Sequence, residues 1–230
     1  MTLSSIKVRL FSNDQYVLDK VLYSNFYRLK PFPEGSTVID VGAHAGYFAI
    51  GCVFLGAENI HCYEALRSNF EILAENTKDF RPKIEVNNSA VMFIDGFLDV
   101  NIPQFDANTK THDFNSVEIE QDGKPFDRVP CFSLDSILDN LQEDSVRLLK
   151  ISIGGNELDI LKNSKNLSKV EHICGETIIS DPKILSDTID SLKAKGFAHS
   201  WFSNTDEGTR IFIFSKGDSE SQFNLYNAKE

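Results

Sequence analysis

From residue 37 onward, short apolar runs alternate with longer stretches whose apolar residues recur every three or four positions. This alternation predicts strands over 37–41, 59–64, 83–87, 147–152 and 170–175, and helices near 45–55, 67–77, 156–163 and 182–195. In the last helix Leu185, Ile189 and Leu192 share a stripe and Gly196 is placed to stop it. Strands that alternate with helices indicate βαβ units and a largely parallel sheet. Two further strand-like runs, 197–202 and 210–215, lie either side of a polar turn, so the chain is expected to close in an antiparallel hairpin.

Three segments break this rhythm. Ahead of the first strand, Asn13 is placed to cap a helix carrying Val17, Leu18, Val21, Leu22 and Phe26 on one face, an N-terminal lid or packing segment over 1–32. Residues 90–94 and 97–102 flank Asp95-Gly96, a strong two-residue turn signal, and are read as a hairpin. Residues 103–130 then form a loop insertion, the expected cover on the substrate side. After Lys216 the tail, 217–230, is polar and expected to fray. A length of 230 residues with 41% hydrophobic and 25% charged positions suits one domain around one core, 1–230.

Charge and cysteines narrow the partners. A formal net charge of −11 with no Lys or Arg cluster argues against nucleic acid, whose binding rests on clustered cations. No apolar run approaches the ~18 residues of a membrane span, and the N-terminus lacks a signal pattern. Cys52, Cys62, Cys131 and Cys174 show no paired short spacing, so neither zinc nor disulfides are expected. Each is read as a small buried thiol, and the cytoplasm is the default compartment.

The sharpest chemical signal is the run Val38-Ile39-Asp40-Val41-Gly42-Ala43-His44-Ala45-Gly46-Tyr47-Phe48, an apolar strand entering D-x-G-x-x-x-G and then a helix. Gly42 and Gly46 allow a tight turn and close approach of a ligand. The spacing is not G-x-G-x-x-G, so the dinucleotide fingerprint fails. A wider turn with an acid suits an amino-acid carboxylate and amine, with Asp40 near the ammonium. Glu64 closes the next strand, where an acid can accept both ribose hydroxyls of an adenosine. Asn88 or Ser89, after the third strand, reaches an adenine edge or serves only its own turn.

These features resemble the FkbM-type methyltransferases. The resemblance runs through residues 33–48, Cys62-Tyr63-Glu64, Asn76, Asn88-Ser89-Ala90-Val91, Val129-Pro130, Ser133-Leu134-Asp135 and Lys150-Ile151-Ser152-Ile153-Gly154-Gly155-Asn156-Glu157. It implies a Rossmann-like class I methyltransferase fold, an α/β/α sandwich, and S-adenosylmethionine as cofactor. Cofactor contacts are implied at Asp40, Gly42, Ala43, His44, Gly46, Tyr47, Glu64, Ala65, Asn88 and Ser89. The activity implied is methyl transfer to a small-molecule acceptor, commonly a hydroxyl of a sugar or natural product.

The family's fourth strand usually reads Lys-Ile-Asp-x-Glu-Gly-x-Glu. Here Ser152 stands where it has Asp and Gly154 where it has Glu, while Lys150, Gly155 and Glu157 are kept. The acid after the fifth strand corresponds to Glu176. A hydroxyl must lose its proton as the methyl arrives, which usually needs a base nearby. Ser152 cannot be that base, so Glu157, Glu176 or His44 substitutes, or proximity suffices, or the chain binds S-adenosylmethionine without turnover. His44 otherwise hydrogen bonds within its loop. His61, His172 and His199 are read as structural, and His112-Asp113 as a loop pair at most touching acceptor. No metal is assigned.

Overall fold

The structure is a computed structural model that describes residues 6–10, 12–101, 126–178, 182–204, 210–217 and 222–223. In chain order the elements are α1 (Asp14–Leu18), a π-helical turn (Asp19–Tyr23), β1 (Thr37–Val41), α2 (Tyr47–Phe54), β2 (Asn59–Glu64) and α3 (Arg67–Thr77). There follow β3 (Ile84–Asn88), β4 (Ala90–Met92), β5 (Gly96–Asn101), β6 (Phe126–Ser133), α4 (Leu134–Asn140), β7 (Val146–Ile151) and α5 (Glu157–Asn163). The chain ends through β8 (Val170–Thr177), α6 (Pro182–Ala194), β9 (Phe197–Asn204) and β10 (Arg210–Lys216).

The main sheet has the order β3-β2-β1-β7-β8-β10-β9. Strands β3 to β8 pair in parallel and β10 runs antiparallel to both its neighbours. This is the Rossmann-like α/β/α sandwich with a C-terminal hairpin that the resemblance implied. Every residue of β1 is buried, because helices cover both sheet faces. On one face Ile39, Val41, Leu149, Ile151 and Ile173 pack with Leu158, Leu161 and Leu192. On the other Val38, Ile60, Cys62 and Cys174 pack with Phe48, Leu73 and the N-terminal Tyr27, Leu29 and Phe32. The strand order reverses between β1 and β7, and open α/β sheets bind ligands at the carboxyl ends of the strands at such a reversal.

The N-terminal helix forms, but Asn13 makes no side-chain cap, and after five residues the helix loosens into the π turn. The expected single face is thereby divided: Val17, Leu18 and Leu22 join Ala45 and Tyr47, whereas Val21 and Phe26 join the second face of the sheet. The expected hairpin at Asp95-Gly96 is replaced by a second sheet, order β4-β6-β5. Strand β6 runs between the two arms, parallel to β4 and antiparallel to β5. The Asp95 carboxylate explains the difference, since it accepts from Ser133 N and Ser136 Oγ, each at 2.6 Å, and so binds β6 and α4.

Residues 126–130 of the expected insertion are therefore strand, while 102–125, with His112-Asp113, lie outside the described residues. Part of the polar tail also returns: Phe223 bridges Leu29 and is buried, Lys30 N donates to Gln222 O, and Gln222 Nε2 donates to Lys30 O. Among the described residues no helix is long and apolar enough to cross a membrane.

Candidate functional site

The carboxyl end of β1 turns through three left-handed residues, Gly42 at φ +76°, His44 at +52° and Gly46 at +86°. A Cβ on Gly42 would lie 2.0 Å from the Ser152 carbonyl oxygen, so β7 presses against the turn and only glycine fits. Gly42 N and Ala43 N donate to Tyr63 O at 2.9 and 3.1 Å, and His44 N donates to Glu64 Oε2 at 2.8 Å. The turn is thus held by the last two residues of β2. Gly46 begins α2, whose Tyr47 is buried with its hydroxyl donating to Lys7 O. Asn76 donates to both Ala45 O and Lys7 O, which ties the N-terminal segment to the turn.

Lys150 completes this frame, a role the sequence did not reveal. Its Nζ lies 3.0 Å from Asp40 Oδ1 and donates to Gly42 O at 2.7 Å. Burial alone would push the ammonium pKa down, and the Asp40 carboxylate more than offsets it, so the pKa lies above its ordinary value. Asp40 is fully buried and lines neither of the cavities beside the turn. Asp40, expected near a ligand's ammonium, lies buried beneath the turn beside Lys150, the compensating cation that β7 provides.

Two cavities meet over the turn. The smaller, ≈60 Å³, is lined by Glu64, Ala65, Asn69, Ser89 and Met92 among others. The larger, ≈570 Å³, is lined by Tyr16, Lys20, Tyr27, Lys150, Glu157 and Glu176 among others. Gly42, His44 and Ser152 line both. Glu64 accepts from Leu66 N and His44 N, one on each oxygen, and burial raises its pKa despite these bonds. Asn88 is turned away, donating to Glu64 O and Ala65 O, whereas Ser89 Oγ is buried without a hydrogen-bond partner. Of the two residues expected at this edge, Ser89 faces the cavity and Asn88 serves the backbone.

The three candidate bases separate sharply. Glu157 is fully buried, accepting from the backbone amides of Ile153, Gly154 and Gly155 at 2.7, 2.7 and 3.1 Å, and from Thr177 Oγ1 at 2.9 Å. It builds the β7–α5 turn. Burial pushes the His44 imidazole down to about 4, with Asp14 opposing, so the ring is neutral at neutral pH. Glu176 remains at the wall of the larger cavity, ion-paired to Lys20 at 2.5 Å and accepting from Tyr27 Oη at 2.8 Å. Lys20 belongs to the π turn, so the N-terminal segment covers the cavity as a lid would. Only the helical period of Val17, Leu18 and Val21 hinted at its neighbourhood.

The remaining histidines are structural where described: His61 lies 3.1 Å from Glu143 and His172 pairs with Ser215 Oγ. All four cysteines are buried free thiols. Among the described residues no cluster of His, Cys, Asp or Glu could hold a metal ion.

Residues 40–183 match the family model described as the Methyltransferase FkbM domain. No curated protein matches the chain. Among solved structures the chain is similar to M. capricolum TrmK in complex with S-adenosyl-homocysteine, at 12% identity and TM-score 0.49, covering 91% of this chain and 71% of that one. A protein of the NADB-Rossmann superfamily from Streptococcus agalactiae matches at 14% identity and TM-score 0.48, covering 97% and 80%. The METTL16 methyltransferase domain matches at 14% and 0.48, covering 95% and 73%.

Proposed function

The chain belongs to the FkbM methyltransferase family, and from that premise we propose that it transfers a methyl group from S-adenosylmethionine to a hydroxyl of a small acceptor, a sugar or natural product. The observation that carries this is the junction of the two cavities at Gly42, His44 and Ser152. A ligand bound by Glu64 and Ser89 at one end must cross the glycine turn to reach Lys20 and Glu176 at the other.

The donor set fits the cofactor. Glu64 Oε2 keeps a lone pair for a ribose hydroxyl beyond the His44 amide it accepts, while Oε1 accepts from Leu66 N and Asn69 Nδ2. Ser89 Oγ is a buried hydroxyl awaiting a polar partner. The smaller cavity is closed too tightly for a nucleoside, so binding widens it against Met92 and Leu98, which lie in the small sheet. S-adenosylmethionine, when bound, supplies an activated methyl on sulfonium.

The chain then has to orient the acceptor and take one proton. Among the described residues lining these two cavities, Glu176 is the carboxylate not committed to a backbone turn, so the proton goes to it as Lys20 shifts aside. Ser152 sits at the junction and positions acceptor against cofactor. The net charge of −11 disfavours a nucleic-acid acceptor, and four free buried cysteines suit the cytoplasm.

A second reading, a module that binds S-adenosylmethionine without turnover, is favoured by the ion pair that occupies Glu176. Titration with S-adenosylhomocysteine tests the site, and methyl transfer to a panel of hydroxylated acceptors separates the readings. Micromolar binding with turnover that drops about 10²-fold or more in Glu176→Gln supports the enzyme. Binding without turnover on any acceptor supports the module, and absence of binding overturns both.

A further inference from the structure

The N-terminal segment covers the larger cavity with one stripe. Asn13, Tyr16, Val17, Lys20 and Val21 all line it, at the spacing i, i+3, i+4, i+7 and i+8 that sets side chains on one helical face. The stripe is charged at Lys20 and apolar at Tyr16, one turn earlier. The wall that Lys20 meets has the same order, since Glu176 near the end of β8 is charged and Ile178, two residues on, is apolar.

Exposure ranks these groups by depth. The Lys20 and Glu176 side chains are 12% and 17% exposed and close on each other as an ion pair. Tyr16 and Ile178 are 48% and 58% exposed. The cavity therefore has a polar end inside and an apolar rim at its mouth. Large apolar side chains left half in water gain when a ligand covers them with apolar surface. A bare sugar would set hydroxyls against them and leave its own hydrogen bonds unmade. Asn13, on the same stripe, has its Oδ1 buried without a hydrogen-bond partner, an independent mark of a site that receives a ligand.

Resting on the reading of this cavity as the acceptor site, we infer that the acceptor is amphipathic: its hydroxyl enters toward Glu176 while an aromatic or aliphatic body lies against Tyr16 and Ile178. The substrate class is a hydroxylated compound with an apolar body of ring size or larger, and not a free sugar. Tyr16 and Ile178 set acceptor specificity without touching the reacting atoms.

The probes are phenyl β-glucoside and methyl β-glucoside, which offer the same ring hydroxyls and differ in the apolar group alone. Each is titrated calorimetrically into the full chain saturated with S-adenosylhomocysteine. Covering roughly 60 Å² of apolar surface corresponds to about tenfold in affinity, so the phenyl glucoside should bind about tenfold or more tighter. Tyr16→Ala and Ile178→Ser should each cut that preference to less than about threefold with S-adenosylhomocysteine binding unchanged, and Tyr16→Phe should keep it. The two walls are tested separately, so the comparison stands if one variant fails to fold. Equal affinity for the two glucosides, binding of neither, or a preference that survives both variants overturns the inference while leaving the cofactor site standing. Equal weakening of S-adenosylhomocysteine in the variants overturns it as well, because the rim then serves the fold and not the acceptor. A wild-type chain that does not bind S-adenosylhomocysteine overturns the proposed function itself, and this inference with it.

Discussion

Lys150 on β7 lies 3.0 Å from Asp40 on β1, with side-chain exposures of 7% and 0%. The pair spans the point where the strand order reverses, directly beneath the glycine turn. Lys150 also donates to Gly42 O, so one ammonium neutralises the buried acid and fixes the turn. The turn is therefore built on a buried ion pair of which Lys150, and not Asp40, reaches the wall of the larger cavity.

Breaking one partner of a buried pair strands the other's charge, at a cost of about 3–5 kcal/mol. Lys150→Met is expected to destabilise the chain by that order in urea unfolding. The double variant Asp40→Asn with Lys150→Met should recover much of it, because no charge is left unpaired. A double variant as unstable as the single one would show that the turn depends on the ammonium's bonds to the carbonyls instead.

His44 supplies a pH dependence of definite sign. Its folded pKa, about 4, lies below the ordinary 6.5, so the unfolded chain binds the extra proton first as pH falls. Stability from this group is present above pH 6.5 and is lost progressively between 6.5 and 4. At pH 5 the loss is about 2 kcal/mol. Asp14 titrates in a window below its ordinary 3.8, while burial raises Asp40 and Glu64, so those carboxyls act differently. The clean measurement is a difference: between pH 7 and pH 5, His44→Asn should lose about 2 kcal/mol less than the wild type in chemical denaturation.

Legibility followed burial geometry. The bounds of β1, β2 and α3 agree with the sequence pattern because each is a run whose period matches one covered face or two. Strand β6 escaped because Pro130 interrupts it and because its partner β4 lies far off in sequence, across residues outside any periodic pattern. Gly42, Glu64 and Ser89 could be placed from their position after a strand. The pairings Lys150 with Asp40, Lys20 with Glu176 and Arg9 with His44 could not, since each joins segments that only the sheet order brings together. Glu157 is the reverse case: an acid in a motif reads as chemical, and its hydrogen bonds go to the turn's amides and Thr177.

Glu157 should accordingly behave as a structural residue. Removing it leaves three amides and the Thr177 hydroxyl without their acceptor. Glu157→Ala is expected to cost about 3 kcal/mol in thermal or urea unfolding, with weakened cofactor binding because Ile153 and Asn156 line the smaller cavity. Glu157→Gln keeps one acceptor oxygen and should cost about 1 kcal/mol while retaining turnover. A glutamine variant that is fully folded, binds S-adenosylhomocysteine normally and has lost turnover would assign the proton transfer to Glu157 and remove it from Glu176.

Ser152 poses the sharpest question, because it stands where the family has an acid and lines both cavities. Restoring the second acid, at Gly154, would force a side chain onto a backbone with φ +85°, so only the Ser152 change is a fair test. Ser152→Asp places a carboxylate at the junction. If the present site is a working one, the added carboxylate crowds the junction that Ser152 shares with Gly42 and His44, and turnover should fall about tenfold. If the chain is instead a binding module that has lost its acid, the same substitution should raise methyl transfer from nothing, at whatever affinity remains. The two outcomes differ in sign, so a single variant assayed for binding and for transfer decides between enzyme and module.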